Sequence, residues 1–420
     1  MSEKLNLTNS QKIYTEALDF CPGAIMGIRK PSNFVPGEYP IFFKSGKGMR
    51  IWDVDGNEYL DFLASYGPII IGHQEEEIDN AVIEKIRTDS FCFNLAQPHQ
   101  NELLRLLQKH IPCAEMGVLV KTGSDATSTA IRIARVHTGR DMILRCGYHG
   151  WHDWCIAVKN GIPANCYKDV DGFHYNDIDS LKKKLEEYKG KVAAVITTPI
   201  GHELNEPIQE PQSDFLNKVK ELAHQHGAVL IFDEIRTGFR MSMGGAQKYY
   251  KVTPDMAVFG KAMANGYAIS AVTGKREVMM SLEDKHAFIS STFFSNSLEM
   301  VAAIATIKFL EREKALDAVW KKGETIKQRS MAAIEKTGVN AFFSGIVPMP
   351  FFTFPKDSDD PTDKRYRDRR VLFFTELVRN GVFMQPFHHG YIGYRHTDAD
   401  IERACSVIEE AFAVVAKAIP

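Results

Sequence analysis

The chain has 420 residues, of which 44% are hydrophobic and 25% charged, and a formal net charge of −2. That length exceeds what one core fills, so two lobes are expected, and the near-neutral charge excludes a polyanion-binding surface as the basis of function. No apolar run approaches the roughly 18 residues of a membrane span, and the opening MSEKLNLTNSQK has no apolar signal core; a cytoplasmic protein without a membrane or nucleic-acid partner is expected.

In chain order, SQKIYTEALDF reads as a helix. PIFFKSGKGMRIWDVDGNEYLDF then alternates apolar and polar residues around DGN, the pattern of short antiparallel strands. From about residue 61 to 312 helices alternate with the apolar runs GVLVK, AAVITT, AVLIF, MAVFG and ISAVTG, which predicts a parallel or mixed sheet between helices. Residues 313–420 read as a smaller α+β lobe: a helix over about 318–337, short strands near FFSG and FFTF, a helix near 367–380 and a last helix from 398. The division expected is a 1–60 segment packed with that lobe, a 61–312 large domain and a 313–420 small domain. The charged, turn-rich FPKDSDDPTDKRYRDRR (354–370) reads as a mobile loop. Cys21, Cys92, Cys113, Cys146, Cys155, Cys166 and Cys405 are odd in number and lack a C-x-x-C pair, which fits free thiols.

The chemistry begins at AVLIFDEIRTGFR, where five apolar residues run into Asp233 and Glu234. A continuous apolar run marks a strand covered on both faces, and its carboxyl end is where open α/β sheets bind ligands. Lys261, in AVFGKAMANG, follows the next apolar strand and would offer an amine to the same crevice. An amine there can form a Schiff base if burial and neighbouring cations leave it unprotonated, and an acid there can hold a pyridinium nitrogen protonated. These are the two groups that pyridoxal 5′-phosphate needs in order to act as an electron sink. A structural Asp–Lys ion pair at the sheet edge is the competing reading. In VLVKTGSDATSTAIRIARVHTG, Gly123 and Ser124 stand at a helix N-terminus, an anion site, with Ala126, Ala130, Ile133 and Ala134 along one face. Ser124 either caps that helix or bonds a phosphate oxygen. Tyr148, in GYHGWHDW, supplies either an aromatic face for a ring or a core side chain. His149, His152 and Cys155 are spaced for one helical face as metal ligands, although Gly150 argues against a regular helix, and no metal is expected.

Over nearly its whole length the chain resembles the class III aminotransferases of the fold-type I pyridoxal-phosphate superfamily, and within them the glutamate-1-semialdehyde 2,1-aminomutase-like branch. The matching segments, in family order, are WDVDGNEYLDF, GPIIIGH, TGSDAT, ARVHTGRDMILRC, YHGWHD, LIFDEIRTGFR, GGAQKYYKVTPD, FGKAMANGY and STFFSNSLEM. The resemblance implies a large α/β domain with a mixed, mostly parallel seven-stranded sheet between helices, plus a small α+β lobe. It implies that Lys261 carries the cofactor as a Schiff base and that Asp233 pairs with the pyridine nitrogen. Tyr148 and Ile235 would flank the ring, and Gly123 with Ser124 would hold the phosphate. It also implies that Thr292 reaches the phosphate of a neighbouring subunit, making a homodimer with shared sites the functional unit.

Departures from the family bear on the reaction. The glycine- and serine-rich gating loop of the aminomutases is not recognisable in AVKNGIPANCYKDVDGFHYND, and QPFHHGYIGYRH places His388 and His389 where the aminomutases have a carboxylate. Thr198 replaces the acid of an E-P pair, and Glu203 falls near the group that contacts the cofactor's phenolic oxygen. Arg29, in GAIMGIRKPSNF, aligns with a carboxylate-binding arginine. An aminotransferase is therefore expected, with L-glutamate as donor and an aldehyde or keto acceptor. One such acceptor is an oxidised octulosonate, on the way to amino sugars of surface polysaccharides. An aminomutase or racemase on the same cofactor is the alternative, and a protein that binds cofactor or metal without turnover is the third class.

Overall fold

The computed structural model describes residues 2–26, 35, 37–93, 95–201, 208–212 and 214–420. The elements begin with α1 (Thr8–Ala17), β1 (Phe43–Lys47), β2 (Arg50–Asp53), β3 (Glu58–Asp61), α2 (Glu76–Thr88), α3 (Pro98–His110), β4 (Met116–Val120), α4 (Gly123–Thr138) and β5 (Met142–Cys146). They continue with β6 (Val170–Gly172), α5 (Ile178–Glu187), β7 (Val192–Thr197), α6 (Phe215–Gln225), β8 (Val229–Asp233), α7 (Gly245–Tyr249), β9 (Met256–Phe259) and β10 (Ser270–Gly274). The last are α8 (Arg276–Met279), α9 (Ser281–Asp284), α10 (Leu298–Arg312), α11 (Ala315–Thr337), β11 (Phe342–Phe343), β12 (Phe352–Thr353), α12 (Arg365–Arg379), β13 (Val382–Phe383) and α13 (Asp398–Ala418).

Two compact units result, one of residues 76–316 and one of 1–75 with 317–420. The boundary at residue 75 puts 61–75, which the sequence assigns to the large domain, with the N-terminal strands. The larger unit is built on a seven-stranded sheet in the order β4-β10-β9-β8-β7-β5-β6. β10 runs antiparallel to both its neighbours, and the other pairs are parallel. Every residue of β7, β8, β9 and β10 is buried, as expected for strands covered on both faces. α4 lays Ala126, Ala130, Ile133 and Ala134 on that sheet, in one core with Ile196, Ile231, Val258 and Val272. Its small residues let the helix approach closely, and the sheet's branched residues fill the space.

The other unit holds a four-stranded sheet, β1-β2-β3-β13, in which β13 pairs in parallel with β3 and so ties the end of the chain to its beginning. A cluster of Phe352, Phe354, Phe373 and Phe412 fills its core. The charged stretch 354–370 is not all loop, because α12 begins at Arg365. Tertiary pairing overrides the local composition there: buried Arg369 bonds Asp357 at 2.7 Å and donates to the Ile419 carbonyl at 2.9 Å.

Candidate active site

Asp233 ends β8 in the middle of the large sheet, 5% exposed. Its Oδ2 lies 2.8 Å from Nδ1 of His149, and its Oδ1 accepts the Ile235 N–H at 3.2 Å. His149 is itself buried, and its Nε2 has no hydrogen-bond partner among the described residues. A carboxylate this buried is costly unless cations or donors meet it. Glu234, its neighbour in sequence, faces elsewhere: it accepts the Thr237 hydroxyl at 2.6 Å and the Ala246 and Gln247 N–H groups at 2.6 and 2.9 Å. Burial raises its pKa above the ordinary carboxylate value, although these bonds oppose the shift. The first acid of the pair thus meets the crevice, and the second ties down the turn before α7.

Lys261 follows β9, the parallel neighbour of β8, and takes the left-handed conformation with φ 44°. A side chain held in that region is strained, and such strain is typical of functional positions. Desolvation, then the positive charge of Arg236, drives the lysine pKa well below its ordinary 10.5; Asp233 opposes this and Arg240 adds to it. Among the described residues Lys261 forms no ion pair, so the structural Asp–Lys pair that the sequence also allowed is not what these two residues make.

The N-terminus of α4 corrects one expectation. Thr122 caps the helix, accepting the Asp125 N–H at 3.1 Å while Asp125 receives the Thr122 N–H at 2.8 Å. Ser124 is therefore not the cap. Its Oγ accepts the Trp151 N–H at 3.2 Å, which leaves the hydroxyl proton available to an anion. Gly150, at φ 110°, passes so close that a Cβ there would strike Ser124 Oγ. Gly260 is similarly confined, since a Cβ would come within 2.6 Å of Ser270 Oγ and 3.2 Å of Ile235. A Cβ on Gly123 would press on Ile235 at 3.3 Å. Bare backbone at Gly123, Gly150 and Gly260, the helix N-terminus, a buried lysine whose pKa desolvation drives down and a buried acid backed by histidine fit the phosphate, aldehyde and ring nitrogen of pyridoxal 5′-phosphate.

Tyr148 lies half-buried beside this cradle, with the Arg236 guanidinium 5.7 Å from its ring centroid. His149, His152 and Cys155 do not converge as ligands. His152 Nδ1 meets Ser128 Oγ at 2.8 Å, Ser128 accepts the Trp154 indole N–H at 2.9 Å, and the Cys155 thiol faces the His149 and His152 carbonyls. Gly150 breaks the helix that their spacing would need. Thr198, just after β7, is buried and its hydroxyl is without a partner among the described residues.

Thr292 is exposed, between the exposed Phe288 and Phe293. His388 and His389 are buried in the other unit, stacked on each other with centroids 4.4 Å apart and flanked by Tyr66 and Tyr391. Arg29 and Glu203 lie outside the described residues. The sequence reading missed His149 as the support of Asp233, Thr122 as the cap, and Arg236. The T-x-x-D box could have revealed the cap; no local signal announces the other two.

Residues 34–412 match the family model described as Aminotransferase class-III. The 3-aminobutyryl-CoA aminotransferase of Cloacimonas acidaminovorans (strain Evry) is 54% identical over 99% of this chain and 100% of its own length. The glutamate-1-semialdehyde 2,1-aminomutase of Archaeoglobus fulgidus is 33% identical over 97% of this chain and 100% of its own. Among solved structures, the FumI protein of Sphingopyxis sp. MTA144, in its PLP internal aldimine form, superposes with a TM-score of 0.91 at 29% identity, covering 98% of this chain and 97% of that one.

Proposed function

The chain belongs to the class III aminotransferases and is a pyridoxal 5′-phosphate-dependent enzyme, and on that premise we propose that it exchanges an amino group between L-glutamate and a 3-oxoacyl thioester. The products of that direction are 2-oxoglutarate and the 3-amino thioester. The observation that carries the substrate is the 54% identity, over the whole of both chains, to an enzyme named for 3-aminobutyryl-CoA.

The bound cofactor supplies a ring into which the electrons of a broken Cα–H or Cβ–H bond can spread. The residues of the chain do the rest. Lys261 would hold the cofactor aldehyde through its amine, and the same amine, when free, would serve as the proton carrier at the substrate carbon. Asp233, backed by His149, holds a proton on the ring nitrogen. Ser124, with the N–H groups opening α4, takes the phosphate beside Gly123. Tyr148 and Ile235 would flank the ring. Thr292 would reach the phosphate of a second subunit, so the functional unit is a homodimer; the exposed Phe288 and Phe293 on the same segment as Thr292 are apolar side chains that a second subunit would cover. Arg29, His388 and His389 are the substrate-side candidates, Arg29 for a glutamate carboxylate and the histidines for the acceptor, and Glu203 is a cofactor-side candidate, for the phenolic edge.

The test is a pair of half-reactions. L-glutamate added to the loaded enzyme should bleach its visible band and release 2-oxoglutarate, and 3-oxobutyryl-CoA should then restore the band and appear as 3-aminobutyryl-CoA by mass. An oxidised octulosonate is the competing acceptor; if it restores the band and the thioester does not, the amino-sugar role replaces this one. The aminomutase reading is favoured by the full-length 33% identity to such an enzyme. No response to glutamate, with isomerisation of glutamate-1-semialdehyde, would establish it instead.

A further inference from the structure

The first turns of α12 carry three arginines in different settings. Arg365 and Arg369 are paired, with Asp363 and Asp357, each at 2.7 Å. Arg370 enters no ion pair among the described residues; instead its guanidinium lies over the Phe387 ring, 5.5 Å from the centroid. The side chain is half-buried, and its Nε is enclosed without a hydrogen-bond partner among the described residues. Tyr366 and Arg367, four and three residues earlier, share its helix face, and they are the titratable groups that face it. Asp368, two residues earlier, lies on another face. Lys356 stands over the Tyr366 ring at 6.0 Å, so this corner gathers three cations and two aromatic rings. Phe374, one turn further along, stacks on Phe351 with centroids 6.5 Å apart, and the neighbouring Pro350 carbonyl accepts the Gly390 N–H at 2.7 Å. That face of α12 therefore packs where the 385–390 segment, with His388 and His389, folds back.

We propose that Arg370, braced on Phe387, anchors a phosphate at the nucleotide end of the acceptor, with Arg367 and Lys356 adding positive charge around it. A partly desolvated guanidinium that meets no acid is costly to keep, and the cost is recovered when an anion arrives. The planar fork, stacked on a ring and unable to lose its proton, matches two phosphate oxygens at once. The inference rests on the acceptor being a coenzyme A thioester, since neither L-glutamate nor an oxidised octulosonate carries a phosphate. In such a thioester the reacting carbonyl and the phosphates stand at opposite ends of the pantetheine arm, so the phosphate anchor is a different residue from those that react. Phe387, which braces the arginine, directly precedes the acceptor-side candidates His388 and His389.

The test compares two acceptors that share the reacting carbonyl and differ in the phosphates: 3-oxobutyryl-CoA and the 3-oxobutyryl thioester of pantetheine. In Arg370→Gln the KM for the first should rise about tenfold, the scale of one charge-assisted contact, and the KM for the second should move less than about twofold. Arg370→Lys should fall between, because a point charge keeps the attraction and loses the fork. Equal shifts for the two thioesters, or none for either, would overturn the anchor. Should Arg370→Gln fail to fold, Arg370→Lys carries the comparison, and a wild-type KM for 3-oxobutyryl-CoA in that variant would contradict two-pronged binding. If the wild type aminates neither thioester, the proposed function fails on its own, and the anchor is then decided by calorimetry of the loaded enzyme with free coenzyme A. Binding about tenfold tighter to the wild type than to Arg370→Gln would support the anchor; equal binding, or none to the wild type, would overturn it.

Discussion

Two aspartate–lysine settings lie at opposite ends of β9. Asp255 precedes β9 and Lys275 follows β10; they pair at 2.6 Å, and Asp255 also bonds His224 Nε2 and the Leu230 N–H, each at 2.8 Å. Burial alone would raise the Asp255 carboxyl, but its bonds to Lys275, Leu230 and His224 outweigh that and hold it below 3.8. The hydrogen bond to Asp255 raises Lys275 in turn. At the other end, Asp233 bonds a histidine, and Lys261 sits buried beside Arg236 with its pKa driven down. The same two residue types close into a structural pair at the amino end of β9 and do not pair with each other at its carboxyl end. An unpaired, desolvated lysine is unfavourable for an empty fold, and it persists where a ligand uses it.

The contrast can be broken at either end. Lys261→Ala should cost at least about a thousandfold in turnover and abolish the visible band of the loaded enzyme, because anchor and proton carrier go together. Asp233→Asn should lower kcat by on the order of a hundredfold, with cofactor still bound, since an amide cannot hold the ring nitrogen protonated. Steady-state kinetics and equilibrium dialysis separate the two effects; equal turnover in Asp233→Asn and wild type would remove Asp233 from the chemistry.

At the structural end the readout is stability. Asp255→Asn should destabilise the fold at pH 7 by on the order of 1 to 3 kcal/mol, discounted for the part of Lys275 that reaches solvent, with kcat unchanged. The folded carboxyl lies below its ordinary 3.8, so its contribution is complete above that value and is lost as pH falls through the folded pKa. Denaturant titrations of the two proteins should therefore converge below about pH 4; a gap that widens on acidification would contradict the pairing. The smallest effect expected is that of Ser124→Ala, a weakening of cofactor affinity by about five- to tenfold, one hydrogen bond's worth, with saturated turnover unaffected.

The strands and the ends of the crevice are legible in the sequence because a strand buried on both faces must be apolar throughout, as Val229–Phe232 and Met256–Phe259 are. Lys261 and Asp233 then stand out as charges where the runs stop. What escapes is made by contacts between distant segments. His149 reaches Asp233 from the end of β5, with β7 lying between the two strands, and Gly150 makes the same stretch look like a failed metal helix. The first turns of α12 are too charged to read as ordered until Arg369 meets Asp357. β6 and β13 have three and two residues and carry no periodicity to detect. Arg29 and Glu203 fall outside the described residues, so their assignments remain proposals from resemblance.

The most direct test of the contrast is to load the protein with pyridoxal 5′-phosphate, reduce it with borohydride and map the modified peptide. The expected result is one cofactor mass on Lys261 and none on Lys275. A label on Lys275, on any other lysine in place of Lys261, or on none would contradict the assignment of the carboxyl end of β9 as the reacting end.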